Sequence, residues 1–421
     1  MYTRTFTIPV TAESPTWLTN QAASTWAAIP GTSTYTLQAA GAAQATICTG
    51  WNGSAIDQSR AEILMVAGGG HGTYTGNEGY ALHLNTPNPR WYKLNESTPP
   101  ASRVTWTTGD SDTVVHQYLD GRAPGMHTCG FPVYASGKLW LMRTGSLATA
   151  GRTVAAGWSF DRNTMPTAWG QTPQAWANNA GPWTSLGHDA QSFISNWGQV
   201  AYDRTTGRLW SAYANDRPQV AWYDPASGTK SGTGPIFTGE RNIYFRSQPA
   251  VTTASLTATL ASGDILGNGP RPILITFDQI GGMGHVCVMD LNNTAAGFAK
   301  YAVSGTQPPI LAAEGYRNGY GAVYWPKGRQ VLLCNAGVTN GFSRIYALSI
   351  PHANGVFNPA DTFTWATIVA TGAPTTSFDT NAGSYTKFNI AEDVSGMSCL
   401  TMVYDWASPT YVYKLPNGAV S

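Results

Sequence analysis

Short apolar runs, each closed by a turn signal, recur along the whole chain, and no stretch shows the period of a long amphipathic helix. Six stretches can be laid over one another. Their first strand reads Trp51-Asn-Gly-Ser-Ala-Ile-Asp57, Cys129-Gly-Phe-Pro-Val-Tyr-Ala135, Trp197-Gly-Gln-Val-Ala-Tyr-Asp203, Arg246-Ser-Gln-Pro-Ala-Val-Thr252, Tyr320-Gly-Ala-Val-Tyr-Trp-Pro326 and Lys387-Phe-Asn-Ile-Ala-Glu-Asp393. A second, short and mainly apolar run follows in each: Ile63–Val66, Leu139–Met142, Arg208–Ser211, Ile273–Thr276, Val331–Cys334 and Cys399–Met402. Runs of this length rich in β-branched and aromatic residues predict buried strands. The third strand falls at Gly79–Leu84, Ala156–Phe160, Val220–Tyr223, His285–Met289, Arg344–Leu348 and Thr410–Lys414. A fourth, more exposed strand is expected at Arg90–Leu94, Ala299–Val303 and Phe363–Ile368.

A repeat of this period, with four antiparallel strands per unit, predicts a radial array. The expected fold is an all-β, six-bladed β-propeller. The last unit ends at Leu415 with three strands, while Ser24–Gly31 resembles the outer strand Phe363–Gly372. The N-terminal strand is therefore expected to complete the last blade and remove an open sheet edge. Residues 1–20 form an expected N-terminal arm and residues 21–421 the propeller, with no composition break to mark a further domain.

Composition supports this picture. With 46 Gly, 16 Trp and 20 Tyr, turn formers and strand formers dominate. A net charge of +1 gives no basic face for nucleic acid, and no apolar run is long enough to predict membrane insertion by a helix. The cysteines Cys48, Cys129, Cys287, Cys334 and Cys399 are odd in number and lack paired spacing, which predicts buried thiols rather than a disulfide framework. Met1–Ile8 has no apolar signal core, yet charged residues make up only 11% and Lys is scarce, with seven against 17 Arg. Both features fit a virion protein made in a host cytoplasm and acting outside the cell.

The segment Val66-Ala-Gly-Gly-Gly-His-Gly-Thr-Tyr-Thr-Gly-Asn-Glu-Gly-Tyr80, followed by Trp91, resembles a kelch repeat: a glycine pair, then Tyr, then Trp. Leu119–Thr128 resembles the polar lead into the next kelch blade. The match covers roughly residues 48–135, and only the strand pattern continues beyond it. The resemblance is to kelch-like propellers of bacterial and phage proteins, and it implies a propeller and a binding face rather than an activity.

Strand starts and the loops between second and third strands should share one rim. That would gather Trp51, His71, Tyr74, Asn77, Glu78, His127, His188, Asp189, Trp197, Arg246, Arg317, Tyr320, Tyr385 and Lys387. Aromatic rings among mixed polar groups suit sugars, since rings stack on sugar faces while amides and charges bind hydroxyls or carboxylates. The competing role is a channel plug. His71, His127 and His188 lack metal-ligand spacing, so neither a metal nor any other cofactor is expected. The glycine run lacks the Lys-Ser/Thr of a phosphate loop. The turn motif of sialidases and a Gly-x-Ser-x-Gly elbow are absent too.

The long polar segments 96–126 and 170–190, carrying Trp106, Trp176 and Trp183, are candidate docking loops. The leading expectation is a non-enzymatic recognition module, a phage tail-fibre or baseplate protein that binds a host cell-surface glycan. The arm would hold other virion proteins, and a homo-oligomer is compatible. The alternatives are a structural virion protein and a polysaccharide-degrading enzyme whose carboxylates would include Glu78 or Asp189.

Overall fold

The computed structural model describes residues 15–33, 52–66, 76–103, 114–115, 118–126, 128, 132–142, 153–154, 157–165, 181–186, 199–204, 206–212, 220–231, 254–256, 273–277, 285–291, 293–297, 299–309, 321–335, 341–351, 360–374, 387–403 and 407–416.

One helical turn, α1 (Thr16–Thr19), precedes strand β1 (Trp26–Ala28). The first unit contains β2 (Ala55–Asp57), β3 (Glu62–Val66), β4 (Gly79–His83) and β5 (Trp91–Lys93). Next come β6 (Val114–Val115), β7 (Pro132–Ala135), β8 (Lys138–Leu141), β9 (Thr153–Val154), β10 (Trp158–Asp161) and β11 (Trp183–Ser185). Here β7, β8, β10 and β11 make one sheet, while β6 and β9 form a small parallel pair. The third sheet has β12 (Gln199–Asp203), β13 (Arg208–Ala212) and β14 (Val220–Tyr223). Then follow β15 (Ala254–Leu256), β16 (Ile273–Phe277), β17 (His285–Asp290) and β18 (Ala299–Gly305). After them come β19 (Gly321–Trp325), β20 (Gln330–Cys334), β21 (Arg344–Ser349) and β22 (Thr362–Val369). The chain closes with β23 (Phe388–Val394), β24 (Met397–Met402) and β25 (Tyr411–Lys414).

Within each unit the strands are antiparallel neighbours in chain order, the pattern of a β-propeller with four-stranded blades. The inner strands lie side by side in a closed ring: β2 against β7, then β12, β15, β19 and β23, which returns to β2. β1 adds to β25 antiparallel, with Trp26 opposite Tyr413, so the N-terminal strand does complete the last sheet.

Tight hairpins follow from the turn residues. Ser136 (φ 54°) and Gly137 (φ 81°) link β7 to β8, and Ser395 (φ 51°) and Gly396 (φ 83°) link β23 to β24. Two successive left-handed residues give the turn whose twist matches paired strands.

Three features differ from the sequence expectation. Among the described residues there are five sheets of three or more strands instead of six separate ones. The outer strands β18 and β22 pair in parallel and merge two four-stranded runs into an eight-stranded sheet. Gly305 permits this contact, because a Cβ there would stand 2.0 Å from the Trp365 carbonyl oxygen. Secondly, the strand that pairs with β16 begins at Ala254, beyond the expected Arg246–Thr252, which lies outside the described residues. Ala254-Ser-Leu256 alternates small, polar and apolar residues as a strand requires, so pattern alone does not separate the two runs. Thirdly, the outer strand β5 is not exposed: Trp91 and Tyr92 are buried.

The core lies between neighbouring sheets. Leu64, Val66 and Tyr92 pack on Leu139, Trp158 and Trp183. Trp140 meets Leu209, and Trp210 meets Met289. Ile275 meets Leu333, Trp325 meets Ile390, and Met65 meets Cys399. Burying each large apolar side chain contributes about 1.5–3 kcal/mol, so these layers hold the ring shut. Cys287, Cys334 and Cys399 are buried thiols outside any disulfide, and burial pushes Cys399 up to about 12. Cys48 and Cys129 lie outside the described residues.

Of the expected arm, residues 15–20 belong to the body. Leu18 sits in the layer between the last and first sheets, and Trp17 Nε1 donates to the Thr86 carbonyl at 2.8 Å. No helix among the described residues is long and apolar enough to cross a membrane.

Candidate functional site

Strand direction defines two ends of the body. At one end β2 and β23 begin and the β3–β4 loop departs, with Val66 opposite Gly79. At the other end lie the hairpins joining first to second strands, with Glu62 opposite His83. Glu78 and Lys387 both lie at the strand-start end, as their positions predict, and both are buried.

Glu78 immediately precedes β4, and its Oε1 accepts from the Tyr80 hydroxyl at 2.8 Å. Burial pushes the Glu78 carboxyl above its ordinary value, against the lowering pull of that bond and of Lys93 and Arg103. Lys387 immediately precedes β23, and its carbonyl accepts from the Val403 amide at 3.2 Å. Asn77 is buried as well. Its Nδ2 donates to Thr98 Oγ1 (2.9 Å) and the Ala123 carbonyl (2.7 Å), while its Oδ1 accepts from the Thr98 amide (2.8 Å). The Gly79 amide donates to Asn95 Oδ1 and the Gly53 amide to Thr128 Oγ1, both at 2.9 Å. These bonds satisfy loop backbone that strand pairing leaves over and fix the loop bases in place. The remaining candidates, Trp51, His71, Tyr74, His127, His188, Asp189, Trp197, Arg246, Arg317, Tyr320 and Tyr385, lie outside the described residues.

The long candidate loops divide in the same way. Trp106 and Trp176 lie outside the described residues. Trp183 is in strand β11, buried with its ring 5.0 Å from Phe160 and 6.3 Å from Trp158. It is therefore part of a blade core rather than a loop.

The main polar features of the opposite end were missed by the sequence reading. Between the first and second sheets, Arg162 Nε donates to Glu62 Oε2 at 2.7 Å and Nη2 to Glu62 Oε1 at 2.9 Å. Arg162 Nη2 also donates to the Tyr92 hydroxyl at 2.9 Å, and that hydroxyl bonds Glu62. Arg162 and Glu62 are 0% and 1% exposed. Burial alone would lower the Arg162 guanidinium, but Glu62 outweighs it and the net shift is upward. Burial and the Glu62 charge push the Tyr92 phenol far up. Beside this network, Arg60 Nη1 donates to Asp57 Oδ2 (2.5 Å) and Tyr134 (3.0 Å), and Nη2 to Asn163 Oδ1 (2.7 Å). His83 nearby is lowered by burial. The one local clue is Glu62 at the head of an apolar strand. Its partner, 100 residues away, leaves no mark in the sequence.

These groups are locked into one another across a seam between blades, which makes them a joint rather than reactive groups. Among the described residues, no group of three or more His, Cys, Asp or Glu is placed to hold a metal ion.

No family model matches the chain, and no curated protein matches it by sequence. Solved structures match in shape. The major allergen Mala s 1 of Malassezia sympodialis is 12% identical with a TM-score of 0.44, over 89% of this chain and 95% of that one. A mutant of AofleA from Arthrobotrys oligospora is 10% identical with a TM-score of 0.40, over 89% and 86%. YjhT is 7% identical with a TM-score of 0.38, over 87% and 94%. Likenesses at these levels carry no argument about function, and the propeller assignment rests on the chain's own sheets and ring of inner strands.

Proposed function

We propose that this chain is a non-enzymatic recognition module, a kelch-like propeller of six units that presents its strand-start end to a glycan. The count of six takes the eight-stranded sheet as two blades joined at β18 and β22, and it is supported by the ring of inner strands. The observation that carries the recognition reading is the buried polar scaffold of that end. Asn77, Asn95, Thr98 and Thr128 pin the loop bases with side-chain hydrogen bonds. A platform fixed before binding saves the ordering entropy that a mobile one loses. The buried Glu78 and Lys387 belong to this platform, and the ligand contacts fall to the rim aromatics Trp51 and Trp197 with Arg317 and Tyr320.

Composition supports an extracellular working place, and the reading extends to a phage virion component recognising a host surface polysaccharide. Trp17 and Leu18 are committed to the body, so docking to other virion proteins falls to residues 1–14 of the arm.

The test is binding of labelled protein to bacterial strains with and without surface polysaccharide. Saturable, polysaccharide-dependent binding that falls at least tenfold in Trp51→Ala or Trp197→Ala is expected. Absence of binding to every strain overturns the reading in favour of a structural virion protein. Release of reducing ends from the polysaccharide, lost in Asp189→Asn, overturns it in favour of an enzyme.

A further inference from the structure

At the hairpin end of the ring, two inner strands that are not neighbours are joined. β12 lies between β7 and β15, and β23 lies between β19 and β2, so the two face each other across the channel. Arg204 follows β12 directly, and its Nη1 donates to Glu392 Oε2 of β23 at 2.9 Å. Its Nη2 donates to Glu392 Oε1, completing a two-pronged ion pair between residues 188 apart in sequence. The planar guanidinium fork matches a carboxylate edge, which gives such pairs a fixed geometry.

Two further observations show that β23 is shaped to make this reach. The pairing of β23 with β24 shifts register between Ala391 and Val394, an irregularity that spans Glu392. Such bulges bend a strand and re-aim a side chain. The backbone around Glu392 is held from the neighbouring blade by Gln58. Its Oε1 accepts from the Glu392 amide at 2.9 Å, and its Nε2 donates to the Ile390 carbonyl at 2.7 Å. A third inner strand contributes Tyr324, whose phenol is pushed up to about 12 by burial, with Glu392 adding to the rise and Arg329 opposing it.

We propose that Arg204 and Glu392 form a clasp across the hairpin-end mouth of the channel, closing it and tying opposite blades together. Where the recognition reading of the preceding subsection holds, the clasp leaves the strand-start mouth as the way in for a ligand. The clasp itself does not depend on that reading.

The side chains are 45% and 24% exposed, so solvent screens the pair, and its effect is local rather than global. Amide hydrogen exchange of the full chain, without ligand, is the appropriate measurement. Arg204→Ala and Glu392→Gln should each speed exchange of the Glu392 and Gly207 amides by about two- to fivefold, the scale of an exposed pair. The difference should shrink at 1 M salt, where the screening length is about 3 Å. The exchanged pair Arg204→Glu with Glu392→Arg should restore slow exchange. Unchanged exchange in both single variants, or a swap no slower than the singles, overturns the clasp. Since no ligand is present, either failure leaves the recognition reading standing.

Discussion

Two arginine–glutamate pairs, both two-pronged, sit in different surroundings. Arg162 and Glu62 lie fully inside the seam between the first two blades, with the Tyr92 hydroxyl as third member. Arg204 and Glu392 cross the channel mouth, the arginine half exposed and the glutamate partly exposed. The charged groups are the same, and burial is the main difference between the pairs. A buried charge that loses its partner is left in a medium that solvates it poorly. An exposed one is rehydrated at once. The first pair is therefore a joint whose halves depend on each other, and the second is a latch that costs little to open.

The largest effect expected is on the buried pair. Arg162→Met should lower unfolding stability by about 3–5 kcal/mol, read from the urea midpoint, because Glu62 is stranded. Adding Glu62→Leu and Tyr92→Phe to that variant should recover most of the loss, since the stranded carboxylate and phenol are then removed as well. A loss below about 1 kcal/mol in the single variant would erase the contrast between the two pairs.

A smaller effect is expected at Glu78, a buried carboxyl that accepts a hydrogen bond from the neutral Tyr80 hydroxyl. Burial raises its folded-state value, so the folded protein holds this proton more tightly than the unfolded chain. Its contribution is fully present below the unfolded value of about 4.3 and is lost as pH rises through the folded value. Glu78→Gln keeps an acceptor for Tyr80. It should flatten the stability-against-pH curve from about pH 4 upward and stabilise the protein at neutral pH. An identical pH profile in the variant would show that burial does not govern this group.

The smallest effect belongs to the exposed pair. Arg204→Ala should change the unfolding free energy by about 0.2–1 kcal/mol, with the local exchange change as the clearer signal. A loss as large as that of Arg162→Met would show that the mouth is far less solvated than its exposure indicates.

Much of the fold was legible in the sequence, because strand identity is a local property. All the expected second strands appear within a residue or two, and the similarity of Ser24–Gly31 to Phe363–Gly372 located the closing strand β1. The expected first strand Arg246–Thr252 lies outside the described residues, and the described partner of β16 is β15, Ala254–Leu256. Of the candidate rim, Glu78 and Lys387 sit at the strand-start end and are buried. Position along a strand reads out which end a residue occupies. Depth depends on what the neighbouring loops lay over it.

The sequence by itself determined the strands, their grouping into repeated antiparallel units and the completion of the last unit by the N-terminal strand. All of these follow from side-chain patterns a few residues long and from turn residues such as Ser136-Gly137. Only the tertiary structure decided that β18 and β22 merge two units and that Trp183 is core rather than loop. It also decided that Arg162 meets Glu62 and Arg204 meets Glu392. Trp183 takes its place only when its sheet assembles, the β18–β22 and Arg162–Glu62 contacts need neighbouring blades to pack, and Arg204 reaches Glu392 only across the closed ring, so no local pattern of residues encodes them.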